Sequence, residues 1–190
     1  MFQFDHFPHL HTKRLTLRAL TRQDAPALFA LFSDPEVTKY NDVTTFQDIG
    51  EAYGLLDFLD NRFQKEQGLR WAITRRGDDT LIGTCGYNTW MRHNNCGEIG
   101  YDIVREHWGQ GFATEAVAGM VRFGFESMAL NRIEADVVTG NDASLRVLLK
   151  NGFVEEGILR QRGFWKGRYH DLHFCSLLRS EHNKRVTKTQ

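Results

Sequence analysis

Apolar and polar residues alternate strictly from Arg14 to Arg18 (Arg-Leu-Thr-Leu-Arg), which predicts a strand with one buried face. The period then changes. Thr21-Arg22-Gln23-Asp24 has capping-box character and opens a short helix carrying Ala27, Leu28, Leu31 and Phe32, which Asp34-Pro35 interrupts. A longer helix is expected over residues 47–65, where Ile49, Ala52, Tyr53, Leu56, Leu59 and Phe63 recur at helical spacing. Strands are expected over 71–74 and 81–88, turned at Gly77-Asp78-Asp79, and over 96–104. After a glycine-containing turn, Ala113, Ala116, Val117, Met120, Val121 and Phe125 mark the buried stripe of another helix. A strand at 133–138, a short helix at 144–150 ended by Gly152, and strands at about 154–161 and 172–178 complete the pattern. Hairpins mixed with helices indicate an α+β or mixed α/β fold, one sheet layer with helices packed on it. No linker or repeat interrupts it, so residues 1–190 read as a single domain, with 1–11 and 179–190 as flexible tails.

Composition narrows the class. With 190 residues and 41% hydrophobic content, one respectable core can form. Twenty-four basic residues balance twenty-four acidic ones, so no global charge calls for DNA or an anionic membrane. No run of eighteen apolar residues and no signal peptide is expected in this sequence. Cys85, Cys96 and Cys175 are odd in number and widely spaced, which suits reduced thiols of a cytoplasmic protein. His6, His9 and His11 read as part of the tail rather than as a metal site, and no metal is expected elsewhere.

The chemistry begins at Trp108-Gly109-Gln110-Gly111-Phe112-Ala113-Thr114, between a strand and an apolar helix. Such a turn can aim several backbone N–H groups at an anion, with the positive end of the helix dipole behind them. A Walker loop is excluded because Gly111 is not followed by Lys-Ser/Thr. A dinucleotide fingerprint fails because the third glycine is missing and the next strand ends in Val138-Thr139. A G-x-G by itself also fits a mere turn.

A second segment, Asn141-Asp142-Ala143-Ser144 followed by a helix and Asn151-Gly152-Phe153, stands about thirty residues downstream. Together the two resemble the GNAT superfamily of acetyl-coenzyme A-dependent N-acetyltransferases, in which a Q/R-x-x-G-x-G/A loop binds the coenzyme pyrophosphate. Residues 12–18, Asp24-Ala25, residues 32–37 and Glu98-Ile99-Gly100-Tyr101 resemble the Rim-type branch, which contains ribosomal-protein alanine and serine N-acetyltransferases. The resemblance implies a mixed, mostly antiparallel sheet of about seven strands flanked by about four helices. It also implies direct attack of an amine on acetyl-CoA in a ternary complex.

By that resemblance the pantetheine arm would meet backbone groups of Ile103, Val104 and Arg105. The N–H groups of Gly109, Gln110, Gly111, Phe112, Ala113 and Thr114 would hold the pyrophosphate, with Gln110 and Thr114 as side-chain donors. Trp108 departs from the family's Gln/Arg. Asn141 would orient the pantetheine arm, although Asn is also an ordinary turn residue. Ser144 is the candidate acid for the leaving thiolate, because a tyrosine used in other branches is replaced by Leu148; Ser also suits a helix start. Glu98 is the leading candidate base, through a water, with Tyr101 and Asp102 as weaker alternatives and a solvated carboxylate as the plain reading. An α-amine, with a pKa of about 7.7–8.0 against about 10.4 for lysine, would need only a modest base.

The expected acceptor is therefore a protein N-terminus. Small amines (polyamine, amino sugar, aminoglycoside) and a coenzyme-binding module without transfer remain open. The basic and aromatic stretch 160–171 would lie near the acceptor site. Monomer and homodimer are equally compatible with the sequence.

Overall fold

The computed structural model describes residues 2–189; Met1 and Gln190, the outermost positions of the two expected tails, lie outside them. The strands are β1 Leu10–His11, β2 Leu15–Ala19, β3 Leu69–Arg75, β4 Asp78–Met91, β5 Cys96–Ile103, β6 Arg132–Val138, β7 Val154–Trp165 and β8 Arg168–Leu178. The helices are α1 Ala25–Phe32, α2 Pro35–Thr38, α3 Ile49–Gln64, α4 Phe112–Glu126, α5 Asp142–Lys150 and α6 Arg179–Thr189. The strands form one sheet in the order β1-β2-β3-β4-β5-β6-β8-β7, antiparallel except for β5 beside β6.

Eight strands and six helices among the described residues exceed the expected seven and four; the added elements are β1, which pairs with β2 at Leu10↔Leu17 and His11↔Thr16, and the helices α2 and α6. At Asp34-Pro35 the chain does not simply break: the Asp34 side chain accepts from Glu36 N–H at 2.9 Å and starts one further turn, α2. The expected N-terminal tail is instead held down by aromatic burial. Phe2, Phe4 and Phe7 pack among Phe63, Trp71, Trp90 and Phe123, and the Trp71 indole N–H donates to Pro8 O at 2.7 Å. The expected C-terminal tail forms α6, anchored where the Arg179 guanidinium donates to Leu130 O.

Two apolar clusters sandwich the sheet. Because side chains alternate across a strand, Trp71 and Ile73 face the cluster built on α4, while Ala72 between them faces α1 and α3. Nine residues of α4 are buried, from Phe112 to Phe125, and each large apolar side chain contributes roughly 1.5–3 kcal/mol. Gly97 and Gly124 leave room for the fully buried Tyr87 ring, whose hydroxyl donates to Met120 O at 2.9 Å. Gly152, at φ +91°, ends α5 through N–H bonds from Gly152 to Leu149 O and from Phe153 to Leu148 O.

The feature that makes a site is a split in the sheet. β5 and β6 pair only at Cys96↔Arg132, Gly97↔Ile133 and Glu98↔Glu134. Beyond Glu98, β5 stays with β4 while β6 stays with β8, so the C-terminal ends of the two parallel strands diverge. Among the described residues no helix is long and apolar enough to cross a membrane.

Candidate active site

A cleft of ≈ 1190 Å³ fills this split, running from the glycine loop past Ser144 and Glu98 to the inner side of α3. Its floor is the free edge of β5. Val104 N–H donates to Ile82 O at 2.9 Å, which fixes the phase of the antiparallel ladder with β4. By alternation, the N–H and C=O groups of Tyr101 and Ile103 then point away from β4; the Ile103 carbonyl is taken by the Trp108 indole, which leaves the Ile103 N–H and both Tyr101 groups facing the split. A ligand with amide groups can therefore add to this edge as a strand would. Val104 N–H is engaged with Ile82, and Arg105 directs its guanidinium to Asp34 at 3.0 Å; neither residue lines the cleft. Of the three residues expected to meet the pantetheine arm, Ile103 alone lines the cleft.

The outer end is the glycine loop. Gly109 (φ +73°) and Gly111 (φ +79°) adopt the left-handed conformation that costs other residues about 1–2 kcal/mol. Gly111 is the N-cap of α4 and offers no side-chain cap, so the first helical N–H groups stay open. Among the described residues none accepts from the N–H groups of Gly109 to Thr114. A Cβ added at Gly109 would meet nothing within 4 Å, which leaves clear approach for a phosphate. This row fits a pyrophosphate.

Two side chains of the loop behave differently from the expectation. Gln110 turns back to donate to Glu106 O at 2.9 Å and does not line the cleft. Trp108, at the family's Gln/Arg position, donates its indole N–H to Ile103 O at 2.7 Å and pins the loop to the end of β5.

The inner wall is the start of α5. Asn141 lines the cleft while its Oδ1 accepts from Ser144 N–H at 3.2 Å as the helix N-cap, so its two readings combine: the oxygen caps and the amide NH₂ remains available. Ser144 Oγ lies 2.8 Å from the Tyr101 hydroxyl, which also donates to Ser144 O at 3.0 Å. Burial pushes the Tyr101 phenol well above its ordinary value, against a smaller opposing pull from Ser144. Tyr101 thus holds its proton and serves as a donor, not as the base considered from sequence. Asp102 is also unsuited to that role, because Arg70 forms an ion pair with it and Asn41 Nδ2 donates to it at 3.0 Å.

Glu98 faces the cleft beside a β-bulge. The β4 register steps from Tyr87↔Ile99 to Thr89↔Glu98, leaving Asn88 as the extra residue. Asn88 Oδ1 accepts from Arg70 Nη1 at 3.2 Å. Burial raises the Glu98 pKa above the ordinary carboxylate value; Asp136 and Glu134 raise it further, while Asn88 and Arg162 draw it down. Asp136, which sequence reasoning missed, lines the same cleft from β6. Its signal was present: Arg132, Glu134 and Asp136 are the polar alternates of a strand whose other residues, Ile133, Ala135 and Val137, are buried. Burial raises the thiols of Cys85 to about 12 and of Cys96 and Cys175 to about 11, so none is a ready nucleophile.

Residues 14–154 match the family described as acetyltransferase (GNAT) domain. The chain is 42% identical to the uncharacterized N-acetyltransferase YoaA of Bacillus subtilis over 173 residues, which is 91% of this chain and 98% of that protein. Among solved structures it is similar to the spermidine N-acetyltransferase of Vibrio cholerae in complex with CoA and spermine (TM-score 0.78, 25% identity, 90% of this chain and 99% of that one). It is also similar in fold to the ribosomal L7/L12 α-N-protein acetyltransferase RimL in complex with coenzyme A (TM-score 0.81, 20% identity, 90% and 98%).

Proposed function

The chain belongs to the GNAT acetyltransferase family, and on that premise we propose that it transfers acetyl from acetyl-coenzyme A to the α-amine of a protein or peptide N-terminus, as ribosomal-protein N-acetyltransferases do. The family and its named relatives make it an N-acetyltransferase; the acceptor is the finer reading.

Each residue then has a task. The open N–H groups of Gly109 to Thr114 hold the pyrophosphate, the Ile103 N–H and the backbone of Tyr101 pair with the amides of the pantetheine arm, and the Asn141 amide orients it. Bound acetyl-CoA supplies the activated thioester. Glu98 takes a proton from the acceptor ammonium through a water, the neutral amine forms the new C–N bond as the C–S bond breaks, and the amide nitrogen then sheds its second proton to solvent water. With the Tyr101 proton given to Ser144 O, the Ser144 hydroxyl is the one free to turn its proton from Tyr101 to the departing sulfur. Because a thiolate has a pKa of about 8.5 and Tyr101 keeps its proton, the pair stabilises the thiolate and bulk water supplies its final proton.

One observation carries the peptide reading: the cleft does not close beyond Glu98. It continues along Val37, Val43, Leu55, Phe58 and Leu59, apolar residues interspersed with Lys39, Asp42 and Arg62, a mixed wall that suits the side chains of an extended acceptor. The carboxylates of Glu98 and Asp136 favour the second reading, a small polycationic amine. A turnover screen with acetyl-CoA decides between them, using peptides with Ala, Ser or Met N-termini beside spermine, an amino sugar and an aminoglycoside. Preference for spermine over every peptide would overturn the proposal. Coenzyme binding without turnover of any acceptor would instead favour a binding module.

A further inference from the structure

The row of open N–H groups at the glycine loop depends on a peptide plane that can turn over. Glycine accepts φ of either sign, so a plane beside it is held only by what its two polar groups bond. The Gln110–Gly111 plane is of this kind, with Gly111 at φ +79°. In a trans peptide the C=O and the N–H point in opposite directions. Whatever bonds the Gln110 carbonyl therefore decides where the Gly111 N–H points.

Arg14 bonds that carbonyl. It stands in the turn between β1 and β2, 96 positions away in sequence, and its Nη1 donates to Gln110 O at 3.0 Å. Arg14 does not line the cleft whereas Gly111 does. The carbonyl is thus drawn to the back of the loop, and the Gly111 N–H is turned to the front. The guanidinium also donates from Nε to Glu115 Oε2 at 2.6 Å and lies 4.5 Å from the centre of the Phe112 ring. Both belong to the first turn of α4, so one side chain fastens the loop and the helix that follows it. Its backbone is fixed in turn: Arg14 N–H donates to Glu115 Oε1 at 2.6 Å, and Arg14 O accepts from Arg76 N–H at 2.8 Å. The Thr12 hydroxyl donates to Glu115 Oε1 at 2.6 Å as well. Both oxygens of Glu115, an acid that would repel an anion at the start of α4, are therefore engaged on the Arg14 side.

On the reading of the cleft as a coenzyme site, we infer that Arg14 and Glu115 are positioning residues for it: the pair holds the Gln110–Gly111 peptide with its N–H toward the pyrophosphate, without touching the ligand. Geometry and not charge alone is required. A guanidinium reaches Gln110 O and Glu115 at once through separate N–H groups in a rigid fork, which the point charge of a lysine does not reproduce.

Calorimetric titration of coenzyme A into wild type, Arg14→Gln, Arg14→Lys and Glu115→Gln tests this, beside kinetics with acetyl-CoA and with acetyl-pantetheine. Arg14→Gln should bind coenzyme A about tenfold more weakly, as a misaligned charge-assisted contact would give. Arg14→Lys should recover little of that loss, and Glu115→Gln should weaken binding about threefold, because its amide still accepts from Thr12. KM for acetyl-CoA should rise by the same factors with kcat kept, while acetyl-pantetheine, which has no pyrophosphate, is used alike by all four proteins. The sign at Glu115 decides the matter. An arginine acting directly on phosphate would be released by loss of its acid, so tighter binding by Glu115→Gln would overturn the inference. Full recovery in Arg14→Lys would overturn it too, by reducing the role to charge. Equal losses with acetyl-pantetheine would assign both residues to the fold alone. A wild type that binds no coenzyme A would instead bring down the coenzyme reading itself.

Discussion

The Tyr101 hydroxyl sits 2.8 Å from Ser144 Oγ and donates to Ser144 O at 3.0 Å, joining the free end of β5 to the first turn of α5 across the cleft. The two hydroxyls therefore act as one group. Ser144→Ala removes the donor to sulfur and should lower kcat about tenfold to hundredfold with little change in coenzyme affinity. Tyr101→Phe should cost less, because Ser144 keeps its hydroxyl and loses only the partner beside it. Steady-state kinetics beside direct binding of coenzyme A measures both. A larger loss in Tyr101→Phe than in Ser144→Ala would reverse the assignment.

The pH dependence follows from Glu98. Burial first, then the charges of Asp136 and Glu134, hold its carboxyl above the usual range, while Asn88 and Arg162 oppose them. A base works deprotonated, so kcat/KM should rise with pH through the Glu98 ionisation of the free enzyme. Asp136→Asn removes a neighbouring negative charge; Glu98 then loses its proton more readily and this limb moves to lower pH. Glu98→Gln should abolish the limb and reduce kcat/KM about hundredfold. The acceptor amine contributes its own limb, which Asp136→Asn leaves in place. A profile of Asp136→Asn that overlies the wild type would sink the coupling.

Much of this was legible because periodicity reports burial. The alternation at 14–18 and the stripe on α4 place strand and helix directly, and two glycines before an apolar helix predict a left-handed turn with open N–H groups, as found at Gly109 and Gly111. What stayed hidden depends on distance in sequence. Ser144 shows no sign of Tyr101, 43 positions away, and Asp136 looks like an ordinary polar alternate until the split brings it to Glu98. The N-terminal segment was legible in principle: Phe2, Phe4 and Phe7 are too apolar for a solvated tail, but their partners lie on α3, β3, β4 and α4. β7 runs to Trp165, further than expected, because its inner edge pairs with β8 while its side chains remain largely exposed, a pattern without the apolar alternation that marks a strand.

Trp108 offers a test of how far backbone alone can hold the pyrophosphate. Its indole N–H bonds Ile103 O and the residue is 48% exposed, so it contributes to the posture of the loop rather than to a side-chain contact with phosphate. Trp108→Phe deletes the donor and should destabilise the protein by about 1 kcal/mol. Trp108→Gln restores the family residue and should tighten coenzyme A binding if the amide reaches the phosphates. Denaturant unfolding and coenzyme titration read the two effects separately.

Gly111 tests the loop more directly. At φ +79° an alanine is strained by about 1–2 kcal/mol, while its Cβ would meet only Arg14 Nη2, at an ordinary 3.5 Å. The native chain can therefore tolerate Gly111→Ala, at the expense of a few degrees in Tm. The same strain presses the loop toward negative φ, which would turn the N–H groups of Gly111 and Phe112 out of the row they share with Ala113 and Thr114. Coenzyme A affinity should then fall about tenfold, the loss expected when a charge-assisted backbone contact is misaligned. Acetyl-pantetheine, which has the thioester but no pyrophosphate, should be used as well by the variant as by wild type at a temperature where both are folded. Equal loss with both donors would mean that the substitution acts on the fold and not on the anion site.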